Sequence, residues 1–320
     1  MSLSRRAFLS GSAAILATPS HAFAAASPAG KQAPGFYRYK VGNYELTAIH
    51  DGVWQRPIDD DFVRNATPAE VTRAMTDAFL PATGKLPLPF TALVVNTGTK
   101  LVLIDTGSGG QISTSAQYLG PNLAAAGISP KAIDAILISH FHPDHINGIK
   151  TKDGALVFPN AEVSVPAAEW DFFMDDARFS GAPDGLRFYL LNTRRIFRSI
   201  ARNVRRFEPG REVAPGISAI AAPGHTPGHT AFAIASGSDS MLVLGDTTSH
   251  PALFVRHPQW QASFDMDGPI AAETRERLLD RAAADRMLVQ GYHFPFPACG
   301  HIGRTGAGFE FAPAQWQPFP

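Results

Sequence analysis

Three imidazoles and a carboxylate crowd into one short segment of this chain, His140-Phe141-His142-Pro143-Asp144-His145. The segment follows an apolar run, Ala135-Ile136-Leu137-Ile138, that reads as a β-strand, and Pro143 suits the first turn of a helix. If the extended geometry persists to the end of the strand, His140 and His142 point to the same side. The turn at Pro143 then swings Asp144 and His145 toward a neighbouring position. One segment thus offers two imidazoles to one cation, and a carboxylate and an imidazole to a second. Nitrogen and carboxylate ligands without thiolate suit zinc, and also manganese, iron or cobalt.

Further ligands are expected at later strand ends. In Ala222-Pro223-Gly224-His225-Thr226-Pro227-Gly228-His229, His225 sits where the apolar strand 217–221 breaks. His229 opens the next strand and reads as a structural or supporting residue behind the ligands. Leu242-Val243-Leu244-Gly245-Asp246 places a carboxylate at another strand end, where it can bridge two cations, although an ordinary turn residue is an equal reading of Asp246 taken alone. Met287-Leu288-Val289-Gln290-Gly291-Tyr292-His293 is again an apolar strand leading to a histidine. His301 is the alternative for that last position, and His293 is preferred because it follows the strand directly.

The elements that must hold these residues read as a layered α/β protein. Strands are expected at Tyr44–Ile49, Ala92–Asn96, Leu101–Ile104, Ile133–Ser139, Ala161–Val165, Ile217–Ala221, Thr230–Ala235, Met241–Leu244 and Met287–Gln290. Gly52 and Gly98 read as turns, the second as a hairpin. Helices are expected near 68–79, 114–126, 167–176, 186–203 and 270–285. Runs of strands interrupted by helices put sheets inside and helices outside. No period of 20–50 residues recurs, which excludes a solenoid or a propeller.

With 320 residues, 45% of them hydrophobic, the chain can bury a sizeable core. Lys+Arg and Asp+Glu are both 28, so no broad electrostatic footprint for nucleic acid or an anionic membrane exists. The arginines from Arg194 to Arg206 read as a solvated helix face. Cys299 is the only cysteine, which excludes an intramolecular disulfide and a multi-cysteine zinc site. Ser4-Arg5-Arg6-Ala7-Phe8-Leu9 with the apolar run after it and Ala22-Phe23-Ala24 reads as a twin-arginine export signal over residues 1–24. The expected product is periplasmic or secreted, with a linker at 25–35 and one domain over 36–320. Nothing else approaches a transmembrane helix, so no stable membrane insertion is expected.

The order His140-x-His142-x-Asp144-His145, then His225, Asp246 and His293, resembles the metallo-β-lactamase superfamily in its dinuclear hydrolase form. The resemblance covers nearly all of the chain after residue 35 and implies a four-layer αββα sandwich with two divalent metal ions, zinc first among the candidates. It implies that His140, His142 and His225 hold one metal, that Asp144, His145 and His293 hold the other, and that Asp246 bridges. Asp105, in Leu103-Ile104-Asp105-Thr106-Gly107, matches a position that supports the ligands from behind. Water shared by two such metals ionises near pH ~7 rather than ~15.7, which makes a hydroxide nucleophile available, with Asp144 or Asp246 as a proton relay.

Within the superfamily the chain is similar to the methyl parathion hydrolase group and its lactonase and arylesterase relatives. The segments Ala33–Arg38, Leu93–Gly98, Phe294–Pro297 and Gly300–Ile302 carry that likeness. It implies a small-molecule ester, lactone or phosphotriester substrate, an aromatic pocket in which Phe173 takes part, and a homodimer. Acyl-homoserine lactonases of the superfamily carry a Tyr three residues after the bridging Asp, where this chain has Ser249. The competing readings are a thioesterase of the glyoxalase II type, for which no separate C-terminal helical domain is visible, and a periplasmic metal- or ligand-binding protein without turnover.

Overall fold

Two sheets of seven strands are laid down in strict chain order, one from each half of the sequence. The computed structural model describes residues 28–81, 83–306 and 308–320, so the expected export signal and the first three residues of the linker lie outside it. Residues Pro34–Pro320 form one compact unit. The first sheet comprises β1 (Phe36–Val41), β2 (Tyr44–Pro57), β3 (Lys85–Asn96), β4 (Leu101–Ile104), β5 (Ala135–Leu137), β6 (Glu162–Pro166) and β7 (Val204–Phe207). Its strands are antiparallel to β4 and parallel from there on. The second sheet comprises β8 (Glu212–Ala214), β9 (Ile217–Ala221), β10 (Thr230–Ser236), β11 (Asp239–Gly245), β12 (Leu288–Gly291), β13 (Cys299–Thr305) and β14 (Gly308–Pro313). Only its β11–β12 pair is parallel.

Period-two alternation builds the layers. Leu93, Val95, Val102, Ile104 and Leu137 of the first sheet meet Ile217, Phe232, Ile234, Met241 and Val243 of the second in one core. The intervening Val94, Leu103 and Ile136 turn outward. They pack with Leu123 of α2 (Leu119–Ala125) and with Leu190, Ile196 and Phe197 of α6 (Asp184–Phe197). On the far side, Leu242, Leu244 and Val289 cover Leu278 and Leu279 of α7 (Gly268–Ala284). The result is helix–sheet–sheet–helix, the expected αββα sandwich. The remaining helices are α1 (Pro68–Asp77), α3 (Pro143–Ile146), α4 (Ala167–Phe173) and α5 (Asp176–Gly181). α1 opens on a capping box: the Thr67 hydroxyl accepts from Glu70 N, and the Glu70 carboxylate accepts from Thr67 N.

Several elements depart from the sequence expectation. The strand expected over 44–49 runs on to Pro57, because Gly52 is a bulge rather than a turn, with a register shift between His50 and Gly52. Its φ of +135° and a Ser115 carbonyl 2.0 Å from where a Cβ would stand leave room for glycine alone. The strand expected over 133–139 shrinks to β5, since Ile133 closes a 3-10 turn on Pro130 and Asp105 captures Ser139 N beyond Leu137. β1, β7, β8 and β14 were not anticipated; all four are sheet edges, where one-sided pairing leaves little apolar signal. Neither was β13, whose Cys-Gly-His-Ile-Gly-Arg-Thr run carries two glycines.

The arginine run is not one solvated face. Arg194 turns inward onto Asp176 and the Phe179 ring, while Arg205 and Arg206 belong to β7. Among the described residues no helix is long and apolar enough to cross a membrane.

Candidate metal centre

Strand direction gathers the site. β9 and β11 are each antiparallel to β10 and so run the same way, and β12 is parallel to β11. The loops after β9, β11 and β12, carrying His225, Asp246 and His293, therefore leave from one edge. The loop after β5 arrives there from the other sheet. His142 stands in extended conformation just before α3, and Asp144 and His145 occupy its single turn. All seven expected residues converge on this edge.

They converge as two groups, His140, His142, His225 and Asp246 in one and Asp144, His145 and His293 in the other, with ligand atoms within 4.8 Å of one another in each. His225 Nε2 lies 3.2 Å from His140 Nε2, 2.9 Å from His142 Nδ1 and 3.3 Å from Asp246 Oδ2. His293 Nε2 lies 3.0 Å from Asp246 Oδ2 and 3.5 Å from Asp144 Oδ2. His145 Nε2 faces Asp144 Oδ2 at 3.4 Å and Asp246 Oδ1 at 3.3 Å. The Asp246 carboxylate sets its oxygens against ligand nitrogens of both groups.

The outer ring nitrogens determine what faces inward. His225 Nδ1 meets Asp265 Oδ1 at 2.9 Å, His145 Nδ1 meets Asp105 Oδ2 at 2.7 Å, and His293 Nδ1 meets the Pro89 carbonyl at 2.8 Å. Carboxylates and a carbonyl only accept, so each Nδ1 carries a proton, which leaves each Nε2 as the atom that can offer a lone pair to a cation. Until a cation takes it, the surrounding carboxylates, against the effect of burial, raise His145 and His293 above the ordinary histidine range. Burial, then the neighbouring imidazoles, holds His140 and His142 well below the ordinary histidine range, so both are neutral. The ring nitrogens of His140, His142 and His225 therefore crowd one another with too few protons to pair them, and His145 Nε2 and Asp246 Oδ1 are buried with no hydrogen-bond partner. Donor atoms around a tetrahedral zinc stand about 3.3 Å apart. The residues fit a pair of divalent cations.

A shell of buried groups orients this set. Asp105, in left-handed conformation at φ +59°, accepts from Ser139 N and Ser139 Oγ as well as from His145. His229 accepts Asp246 N on Nε2 and contacts the Ala222 carbonyl through Nδ1. Burial lowers its pKa to about 3, which keeps it neutral for that task. Gly245, at φ +54°, gives way to this ring, since a Cβ there would lie 2.9 Å from His229 Nε2. Tyr292 lies over the His145 ring at 3.9 Å and donates its hydroxyl to the Asp144 carbonyl.

Glu169 of α4 ties two ligand loops together. It accepts from Phe141 N at 2.9 Å on one oxygen, and from Thr226 Oγ1 and Gly228 N at 2.9 and 2.8 Å on the other. Burial raises its pKa from 4.5 to about 7, against the pull of those three donors. A carboxyl raised on folding contributes stability in full below its unfolded value and loses it as pH climbs through the folded one. Relative to Glu169→Gln, the wild type is expected to lose up to about 3 kcal/mol between about pH 5 and pH 8, read from urea midpoints of metal-loaded protein. Parallel pH profiles would instead mean a carboxylate ionised throughout, held by its donors.

Phe173 requires correction. It is fully buried against Phe141 and Phe172 and does not line the cavity. α4 turns that ring into the core between helix and sheet, and the pocket wall comes from elsewhere. A cavity of about 500 Å³ opens over the metal groups, walled by Trp54, Leu88, Phe90, Ile112, Tyr189 and Phe264, with Arg56 and Ser249 also on its surface. His301 lies apart on β13, exposed, with Nδ1 at 3.1 Å from the Met287 carbonyl. Sequence reasoning missed Glu169, Asp265, Arg275, Tyr292 and Arg56. None belongs to a local motif, and only the strand ahead of His293 pointed near one of them.

The pattern of the Metallo-beta-lactamase superfamily matches residues 87–293. Among solved structures, the chain resembles AidC, a dizinc quorum-quenching lactonase in complex with the product N-hexanoyl-L-homoserine. The two are 29% identical, with a TM-score of 0.83 over 88% of this chain and 98% of that one. It also resembles the hydrolase AbOPH of the beta lactamase superfamily, at 26% identity and a TM-score of 0.84 over 90% of this chain and 100% of that one. A curated relative, ribonuclease Z from Agathobacter rectalis, is 38% identical over 96 residues, 29% of this chain. The match spans 28% of that ribonuclease, less than a third of its length.

Proposed function

Because the chain belongs to the metallo-β-lactamase superfamily and is a metal-dependent hydrolase, we propose that it uses two zinc ions to open lactones or cleave aryl esters, with activity toward organophosphate triesters at the same site. The observation that carries this reading is the pairing of the two His/Asp groups, with their orphaned inward atoms, to a cavity walled mainly by apolar side chains. Bound there, two divalent cations supply Lewis acidity and a hydroxide nucleophile at neutral pH.

The chain's own residues supply the rest. His140, His142 and His225 would hold one cation, Asp144, His145 and His293 the other, with Asp246 placed between the two groups. Trp54, Leu88, Phe90 and Phe264 exclude water and receive the apolar part of a neutral ester. Asp144, at the cavity surface and less buried than the other ligands, is the carboxylate placed to pass a proton toward the leaving group. Similarity to a lactonase that binds a lactone-derived product supports the lactone side of the reading. Export by the twin-arginine-type segment at residues 1–24 belongs to the same proposal, and would deliver a folded, metal-loaded enzyme to the periplasm.

The test is a panel of lactones, aryl esters, phosphotriesters and thioesters, assayed with metal content measured on the same preparation. Hydrolysis of lactones or aryl esters by protein carrying two metals per chain is the expected result. A two-metal protein that turned over thioesters alone would move the assignment to the glyoxalase II type, and one inert to the whole panel would overturn it.

A further inference from the structure

Arg56 lines the cavity without a partner of its own among the described residues, which hold no salt bridge or hydrogen bond from its guanidinium. The other arginine on the cavity surface, Arg195, is tied to Asn147 and Asn192 at 3.0 and 2.8 Å. Arg56 stands at the end of β2, opposite Leu86, on the same face as Trp54, Leu88 and Phe90. Its Nε is buried with nothing to donate to. Its Cζ lies 5.1 Å from the Trp54 ring centroid, 5.5 Å from Phe62 and 5.0 Å from Phe264. Phe264 in turn meets the His225 ring at 5.7 Å, so a single ring separates the guanidinium from the metal groups.

Charge accounting makes this placement informative. The carboxylates on the cavity surface are Asp144 and Asp246, and both belong to the metal groups. Asp59, off the cavity wall, and Asp144 are the carboxylates whose charge acts on Arg56, and neither makes an ion pair with it. Two divalent cations would carry more charge than Asp144 and Asp246 cancel, so Arg56 would remain a positive group at the cavity. Stacking on aromatic rings returns about 0.5–2 kcal/mol to a guanidinium. That does not satisfy its donors. The terminal Nη donors, which are not among the buried atoms, are the ones a ligand in the cavity can reach, and a planar guanidinium fork matches a carboxylate bidentately.

We propose that Arg56 is a specificity-determining residue that binds a carboxylate on the part of the substrate remote from the scissile bond, so that the preferred substrates are anionic esters or lactones. This rests on the hydrolase reading above and narrows its substrate class. It also accounts for a cavity whose walls are apolar yet carry one free cation: the walls receive a hydrocarbon spacer, and Arg56 receives its charged end.

The test uses the zinc-loaded protein and 4-nitrophenyl esters of straight-chain dicarboxylic acids of graded length, each with the far carboxyl free or methylated. At the best length, kcat/KM for the free acid is expected to exceed that for its methyl ester about 10- to 100-fold, the range for charge-assisted hydrogen bonds, mainly through KM. Arg56→Met is expected to bring that ratio close to one, Arg56→Lys to restore part of it, and added salt to shrink it in the wild type, with metal content equal throughout. A wild type indifferent to the far charge, or a ratio unchanged in Arg56→Met, overturns the subsite while leaving the hydrolase standing. If none of these esters is hydrolysed, the hydrolase reading is judged by the full panel above, and calorimetric titration of monomethyl suberate decides the subsite separately. Binding lost in Arg56→Met supports it, and equal binding in both proteins refutes it.

Discussion

Asp246→Ala is expected to lose metal and activity together: below two metals per chain, and a rate at least ~10³-fold lower, since Lewis-acid stabilisation is worth several kcal/mol and each 1.36 kcal/mol is tenfold. The reason lies in its position. Asp246 Oδ2 is 3.3 Å from His225 Nε2 and 3.0 Å from His293 Nε2, while Oδ1 faces His145 Nε2 at 3.3 Å. Removing the carboxylate takes a negative charge from between the two His-rich groups, and its two cations then repel across the gap. His229, which receives Asp246 N, keeps the backbone in place, so the loss is one of ligation rather than of fold. Ser249→Ala is the matched control. It lines the same cavity three residues on, touches neither group, and is expected to retain both metals. Metal analysis of purified Asp246→Ala decides the matter: two metals still bound would refute the bridging role.

Arg275→Met is expected to be the most destabilising single change, costing about 3–5 kcal/mol. The guanidinium is buried in α7 and donates to the Asp265 carboxylate at 3.0 Å and to the carbonyls of Thr247, Pro258 and Trp260 at 2.9, 2.8 and 2.6 Å. Methionine fills the volume but leaves a buried carboxylate without its cation and three carbonyls without donors. Asp265 also orients His225 through Nδ1, so the damage reaches the metal centre. Affinity for the cation held by His140, His142 and His225 is expected to fall ~10- to 100-fold, as for other losses behind a ligand. Arg205, paired with Glu162 at 3.4 Å on the half-exposed face of β7, supplies the contrast. Arg205→Met is expected to shift the urea midpoint little, because exposed pairs contribute about 0–1 kcal/mol. Equal midpoints for the two variants would show that Arg275 is not a buried keystone.

The two predictions differ in how visible their residues are in the sequence. Asp246 ends an apolar run, and that is enough to mark a carboxylate at a strand end. His140, His142, Asp144 and His145 are legible for a stronger reason: their spacing is local, and six residues of backbone can bring them to one point almost whatever the rest of the chain does. The layers are legible too, because the unbroken apolar runs Leu101–Ile104 and Met241–Leu244 mark strands buried on both faces.

What the chain could not announce in advance is who stands behind those ligands and who faces them. Asp265 reaches His225 across 40 residues from a loop and Glu169 reaches Thr226 across 57 from α4, neither within a segment whose own sequence marks it. Phe173 shows the same limit from the other side, since an aromatic in a helix reads alike whether it turns to a pocket or to the core. His140, His142, Asp144 and His145 were therefore written in local spacing, and His225, Asp246 and His293 in strand-end placement and family order, whereas the wall above them was decided by tertiary pairing. The Gly52 bulge carries β2 past its expected end, and with it Trp54 and Arg56 over the metals. Periodicity records burial along one strand; it does not record which distant strand, bulged by one residue, will come to lie across it.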